Sequence, residues 1–134
     1  SFLSGKSYWA KGVPKEVVER SIQNSVAFGV YDIAAHSAQV GFARVISDFA
    51  TFAYLGDVFI DERYRSKGLS KMLMEFIFSL DELKGLRRFM LATADAHSLY
   101  VRYGFKPLKT PDRFMEVHDP EVYRRKMQKG NQSS

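Results

Sequence analysis

The 134 residues predict an α+β fold: helices packed on one mixed sheet around a single core. Three observations carry that expectation. The hydrophobic pattern runs helix, three strands, helix, strand, helix, strands. The run Val58-Phe59-Ile60 passes through a basic, small-residue turn into an amphipathic helix. Hydrophobic residues make up 46% of the chain, enough for a packed interior and too many for a disordered one.

Each element has a local reason. Pro14 suits the first helical position, and Val17, Val18, Ser21 and Ile22 follow on one face, to an end near Asn24 or Ser25. Val26 to Tyr31 reads as a strand and Asp32 to Ser37 as a polar turn. Gln39 to Ile46 is apolar on both faces, as expected near the centre of a sheet. After the turn at Ser47-Asp48, Thr51 to Ile60 completes an antiparallel meander. From Leu69 the period becomes helical, with Leu69, Met72, Leu73, Phe76, Ile77 and Leu80 on the expected core face. A loop over Asp81 to Gly85 precedes a strand over Arg87 to Ala92. Asp95 is a candidate cap for a short helix closed by Gly104, which suits a left-handed backbone position. Phe105 to Leu108 and Arg113 to Val117 are expected to be two late strands, and Met127 to Ser134 a frayed tail. The expected organisation is one domain over residues 1–126 and a flexible tail over 127–134.

Charge and composition narrow the function classes. The net charge is +5, and apart from Arg124-Arg125-Lys126 the basic residues are dispersed. An acidic small ligand accounts for this with fewer assumptions than a nucleic acid, because no strand face interleaves basic and aromatic residues. No apolar run approaches membrane-spanning length, so no membrane partner is expected. Cysteine is absent, which fits a reducing cytoplasm and excludes thiolate ligation. His36, in a turn, and His118, after the last expected strand, lack neighbours at metal-ligand spacing, so no metal is expected. The chain begins at Ser1, consistent with a fragment or a processed form.

The turn Arg65-Ser66-Lys67-Gly68-Leu69-Ser70 carries the chemistry. Unpaired N–H groups and the positive end of a dipole gather at a helix N-terminus, and Gly68 lets a phosphate approach the backbone. Taken alone, such a turn is also compatible with a solvated basic cap. However, Val58-Phe59-Ile60 followed by Arg65-x-x-Gly68-x-Ser70 resembles the acetyl-CoA motif of the GNAT superfamily of N-acetyltransferases. The segment Leu91 to Phe105, with Ala96-x-x-Leu99-Tyr100-x-x-x-Gly104-Phe105, resembles that family's second signature. The resemblance extends from Pro14 to near Val117 and is closest in kind to small stand-alone bacterial members. Ser66 stands where the family usually has Gly, Ser70 where it has Gly or Ala, and Thr93 where Asn is frequent.

The resemblance implies a sheet split open between two parallel strands, Thr51–Ile60 and Arg87–Ala92. Acetyl-CoA would be the co-substrate, with Val58, Phe59 and Ile60 along its pantetheine arm. Arg65, Ser66, Lys67, Gly68, Leu69, Ser70 and Lys71 would hold its pyrophosphate, with Thr93 on the opposite strand. The N–H of Phe59 or Ile60 would polarise the thioester carbonyl. Tyr100 matches the family's general acid; packing in the core is the alternative. Asp57 is a candidate base or ammonium acceptor, or else a polar group satisfied at a strand bulge. His97 is weighed as a catalytic group against a capping or packing role. Tyr8, Trp9 and Phe114 are candidate acceptor-binding aromatics, with a place in the core as the plainer reading. The acceptor would be a primary amine of a small molecule or peptide. A sensor that binds acetyl-CoA without turnover is the alternative, favoured by Ser66 and Ser70. The family's first strand has no counterpart, which leaves an edge open to a second copy of the chain and makes a homodimer compatible with the sequence.

Overall fold

The computed structural model describes residues 12–132. Helix α1 covers Lys15–Gln23; Pro14 sits one position earlier than expected, as the N-cap with extended backbone. Strands β1 (Val26–Asp32), β2 (Ala38–Ser47) and β3 (Phe52–Ile60) form the expected antiparallel meander. Helix α2 (Leu69–Ser79) then leads to β4 (Arg88–Leu91), which pairs parallel with β3. The result is a four-stranded mixed sheet in the order β1-β2-β3-β4. Short 3-10 turns occupy the expected loops at Ile33–Ala35 and Asp81–Leu83. A short helix α3 (His97–Val101) and a final helix α4 (Val122–Gln132) complete the chain.

The core forms where the two-sided apolar strand β2 meets its neighbours. Val40, Phe42, Ala43 and Val45 are buried, together with Ala53 and Leu55 of β3. Helix α2 adds Leu73, Met74 and Ile77, each of whose burial is worth roughly 1.5–3 kcal/mol. A second cluster joins α2, β4 and α3: Phe78 meets the rings of Phe89, Tyr103 and Phe105 at 5.3, 5.2 and 5.4 Å. Edge-to-face and tilted contacts of this kind fix orientation as well as burying area. They set α3 against the end of β4.

Three further expectations need correction. Met72 and Phe76 of α2 are exposed, and Met74 takes the buried place, because the apolar residues of this helix reach well past one face and periodicity cannot select its inner face. The late strands over 105–108 and 113–117 are absent: the segment is irregular apart from a 3-10 turn at Pro111–Arg113, since no neighbouring strand pairs with it. Residues 127–132 of the expected tail belong to α4. Asp95 does not cap α3; the Thr93 hydroxyl instead accepts from the Ala96 N–H at 3.0 Å. Gly104 does take the left-handed conformation, with φ 93°.

The β2–β3 turn is held by one carboxylate. Asp48 accepts from the N–H groups of Ala50, Thr51 and Phe52 and from the Thr51 hydroxyl, at 2.7 to 3.1 Å. These donors hold its pKa far below the ordinary value of 3.8. A depressed folded-state value makes the stabilisation complete above the ordinary carboxylate range and lost as pH falls through the folded value. Asp48→Ala should therefore lower the melting temperature at pH 7, and the gap from the parent protein should shrink as the pH is taken progressively below 3.8, measured by circular dichroism.

Candidate functional site

The site begins with a misfit in the sheet. Between Phe42 and Arg44 of β2 the partner in β3 jumps from Phe59 to Gly56, so β3 carries one extra residue. Asp57 occupies this bulge with φ 56°, a left-handed conformation that costs a non-glycine residue roughly 1–2 kcal/mol. An ion pair holds it: Arg44 Nε donates to Asp57 Oδ2 at 2.7 Å, and both side chains are largely shielded. Parallel pairing stops one residue before Gly56, at Leu55↔Leu91. Beyond that point the two strands part.

The gap is an open cleft of about 540 Å³. One wall is Leu55 to Ile60 of β3; the other is Leu91 to Thr93, Asp95, Ala96, Leu99 and Tyr100; Arg65 and Ser70 close one end. Along β3, Asp61 donates its N–H to Val40 of β2 at 2.7 Å. Antiparallel alternation then turns the main-chain groups of Ile60 away from β2 and those of Phe59 toward it. The Ile60 carbonyl confirms this direction, since it accepts from Arg65 Nε at 3.3 Å. Of the two N–H groups considered from sequence, that of Ile60 is therefore the one turned away from β2.

The turn ahead of α2 presents a row of main-chain donors. Among the described residues, none of the N–H groups from Ser66 to Lys71 has an acceptor within the protein; the first to do so is Met72, to Gly68 at 3.0 Å. Gly68 caps the helix at φ 77°, and a Cβ placed there would meet nothing within 4 Å, so its surroundings are open. Ser66 adopts φ 68°, the strained backbone its departure from glycine foreshadowed. The loop leading in is fixed beforehand. Asp61 accepts from the Arg63 N–H at 3.0 Å, and Tyr64 donates its hydroxyl to Asp32 Oδ2 at 2.6 Å. That bond raises the Tyr64 pKa above its ordinary 10.0. The Lys67 ammonium lies 5.2 Å above the Tyr64 ring.

Tyr100 sits on the cleft wall, 7% exposed, and burial pushes its phenol above the ordinary value of 10.0. Structure thus brings Asp57, Val58, Phe59, Ile60, Arg65, Ser70, Thr93 and Tyr100 to one cleft. Lys67 and Lys71 stand exposed on the adjoining turn and first helical residues. Phe114 is not part of the cleft; it lies under the Arg88 guanidinium, 4.9 Å from ring centre. Tyr8 and Trp9 lie outside the described residues. His97 lines a neighbouring groove and not this cleft, and His36 and His118 are exposed. Among the described residues no cluster of three His, Asp or Glu groups could hold a metal ion. Sequence reasoning missed Arg44, whose pairing with Asp57 spans 13 positions and leaves no local signal.

The family model for the acetyltransferase (GNAT) domain matches residues 24–107, which include the cleft, the turn and Tyr100. This chain belongs to the GNAT acetyltransferases. A Xanthomonas campestris protein assigned to the same family, known as a crystal structure, is 50% identical with a TM-score of 0.81, over 91% of this chain and 84% of that one. A Gibberella zeae protein classed among the acetyltransferases is 28% identical over 109 residues, 69% of this chain; the chain spans 62% of that relative's length. A Clostridium acetobutylicum acetyltransferase whose structure contains acetyl-CoA shares the fold, with a TM-score of 0.58 at 12% identity over 77% of this chain and 71% of that one. Among the described residues no helix is long and apolar enough to cross a membrane.

The Arg44–Asp57 pair generates a stability prediction. Arg44→Met leaves a half-buried carboxylate unpaired and should cost about 1–3 kcal/mol in urea denaturation. Adding Asp57→Asn should restore part of that loss, and a double-mutant cycle gives the coupling. Strict additivity would show that the pair does not hold the bulge.

Proposed function

We propose that this protein is an acetyl-CoA-dependent N-acetyltransferase acting on a primary amine of a small molecule or peptide by direct attack. The observation that carries the proposal is the continuity of the cleft between β3 and β4 with the unsatisfied N–H groups of Ser66 to Lys71. A long ligand with an anionic centre and an extended arm fits that shape. The residues present suit it: main-chain donors and the dipole at the start of α2, supplemented by Arg65, Lys67 and Lys71, for a diphosphate. Val58 and Ile60 would receive the pantetheine arm as an added strand, with Phe59, Leu69, Ser70 and Thr93 around it. Acetyl-CoA supplies an activated acyl group, which is the chemistry this chain's residues would direct.

The protein's own groups then have defined roles. The Ile60 N–H stabilises developing negative charge on the thioester oxygen. Tyr100 donates a proton to the departing thiolate; its raised pKa keeps the phenol protonated throughout the neutral range. Asp57, oriented by Arg44, receives the acceptor's ammonium or takes its proton through water. The alternative, an acetyl-CoA sensor without turnover, draws on the strained Ser66.

Thiol release from acetyl-CoA across a panel of amines tests the proposal; saturable binding with no thiol release from any amine selects the sensor instead. Tyr100→Phe should reduce kcat by about 10²–10⁴-fold while leaving the affinity for acetyl-CoA within a small factor, by calorimetry. Because the phenol pKa is raised, the acid-dependent limb of kcat should not fall until above pH 10. Gly68→Asp should abolish acetyl-CoA binding, since the new side chain brings both a strained backbone and a charge that repels phosphate. Unchanged affinity in that variant would remove the diphosphate from the turn.

A further inference from the structure

The Arg44–Asp57 pair leaves part of its hydrogen-bonding capacity unused. Arg44 Nε donates to Asp57 Oδ2 at 2.7 Å, and Arg44 Nη1 donates to the Ser25 hydroxyl at 3.5 Å. Ser25 lies in the link between α1 and β1, and its hydroxyl donates in turn to the Ser21 carbonyl. The guanidinium is thus fixed from two sides. Among the described residues, neither Arg44 Nη2 nor Asp57 Oδ1 has a hydrogen-bond partner. The two side chains are shielded but reachable, at 17% and 34% exposure, and Asp57 lines the cleft. The pair therefore presents an open donor edge beside an open carboxylate oxygen.

An ion pair has no net charge, and that decides what it can attract. A carboxylate that serves only to receive an ammonium does so best with no cation attached to it. Arg44 offsets the attraction of Asp57 for a simple amine or a polyamine, and Asp57 works equally against a ligand that is only an anion. A ligand carrying both charges a few atoms apart meets an opposite charge at each end. An amino acid has that form, with ammonium and carboxylate flanking one carbon.

We propose that the acceptor is a free amino acid, its ammonium on Asp57 Oδ1 and its carboxylate on Arg44 Nη2. This rests on the acetyl-transfer reading and narrows it: a peptide N-terminus carries an amide in place of that carboxylate and is the poorer acceptor. The ammonium loses one proton to Asp57 or water and attacks as the neutral amine. The N–C bond forms as the C–S bond breaks. The nitrogen gives up a second proton by the same route, and the thiolate takes one from Tyr100, so that one proton in all is released. The products are the N-acetyl amino acid, with its carboxylate intact, and coenzyme A.

The test compares thiol release, at saturating acetyl-CoA, for a panel of amino acids, their carboxamides and the amines lacking the carboxylate. For the preferred amino acid, both analogues should lose about 10–100-fold in kcat/KM, mostly through KM, as expected when a charged hydrogen bond is removed. Arg44→Gln, shown to be folded by circular dichroism, should bring the amino acid down to the level of its carboxamide. A merely structural role for Arg44 would lower both alike and keep their ratio, and that result overturns the proposal. So does an amide or amine used as well as its amino acid, a comparison that needs no variant. If no amine releases thiol, the acetyl-transfer reading fails, and calorimetry of the same compounds against the protein with coenzyme A decides this inference separately. An amino acid bound in preference to its carboxamide upholds the matching of charges; equal or absent binding overturns it.

Discussion

A single local conflict organises this molecule: β3 holds one residue too many for its partner β2. The surplus is absorbed at Asp57, in a backbone conformation that a side chain disfavours and that Arg44 secures from the neighbouring strand. Without the bulge, β3 would keep its twist in step with β2 and could continue alongside β4. With it, the strand is bent and the parallel pairing ends at Leu55 and Leu91. The cleft is thus a consequence of register, set at Asp57, which itself lines the opening.

The rest of the site is positioned relative to that opening. The meander delivers Ile60 with its main-chain groups turned away from β2, and the turn that follows delivers a helix start whose donors are unsatisfied. The aromatic cluster of Phe78, Phe89, Tyr103 and Phe105 fixes α3 against β4, which places the phenol of Tyr100 on the opposite wall. Main-chain donors, rather than charged side chains, dominate the arrangement. This suits acyl transfer, in which fixed dipoles need no rearrangement as charge develops.

Much of this was legible in the residues, for reasons that can be named. The meander follows from alternation and turn chemistry, and Asp48 marks its turn. Gly68 marks the left-handed step before α2, and the spacing through Tyr100 and Gly104 marks the second signature. The failures share one physical origin, which is that they depend on partners distant in sequence. A helix whose apolar residues reach well past one face cannot announce that Met74 is inside and Phe76 outside. Phe105 to Leu108 and Arg113 to Val117 have the composition of strands, but a strand exists only where another is beside it. Asp57 was recognised as a bulge candidate, but its dependence on Arg44 was not, because the two residues belong to different strands. Thr93 in place of Asp95 as the group that receives the Ala96 N–H is a matter of side-chain reach that composition does not record.

The bond from Tyr64 to Asp32 carries a consequence for how a ligand is met. It ties the approach to the α2 turn to the end of β1, 32 positions earlier in the chain. The loop is therefore shaped before any anion arrives, and the entropy of ordering it is already spent in folding. A ligand recognised there would dock onto a finished surface more than be closed upon as by a hand. Any anion held at the turn would owe part of that hold to a carboxylate that never touches it.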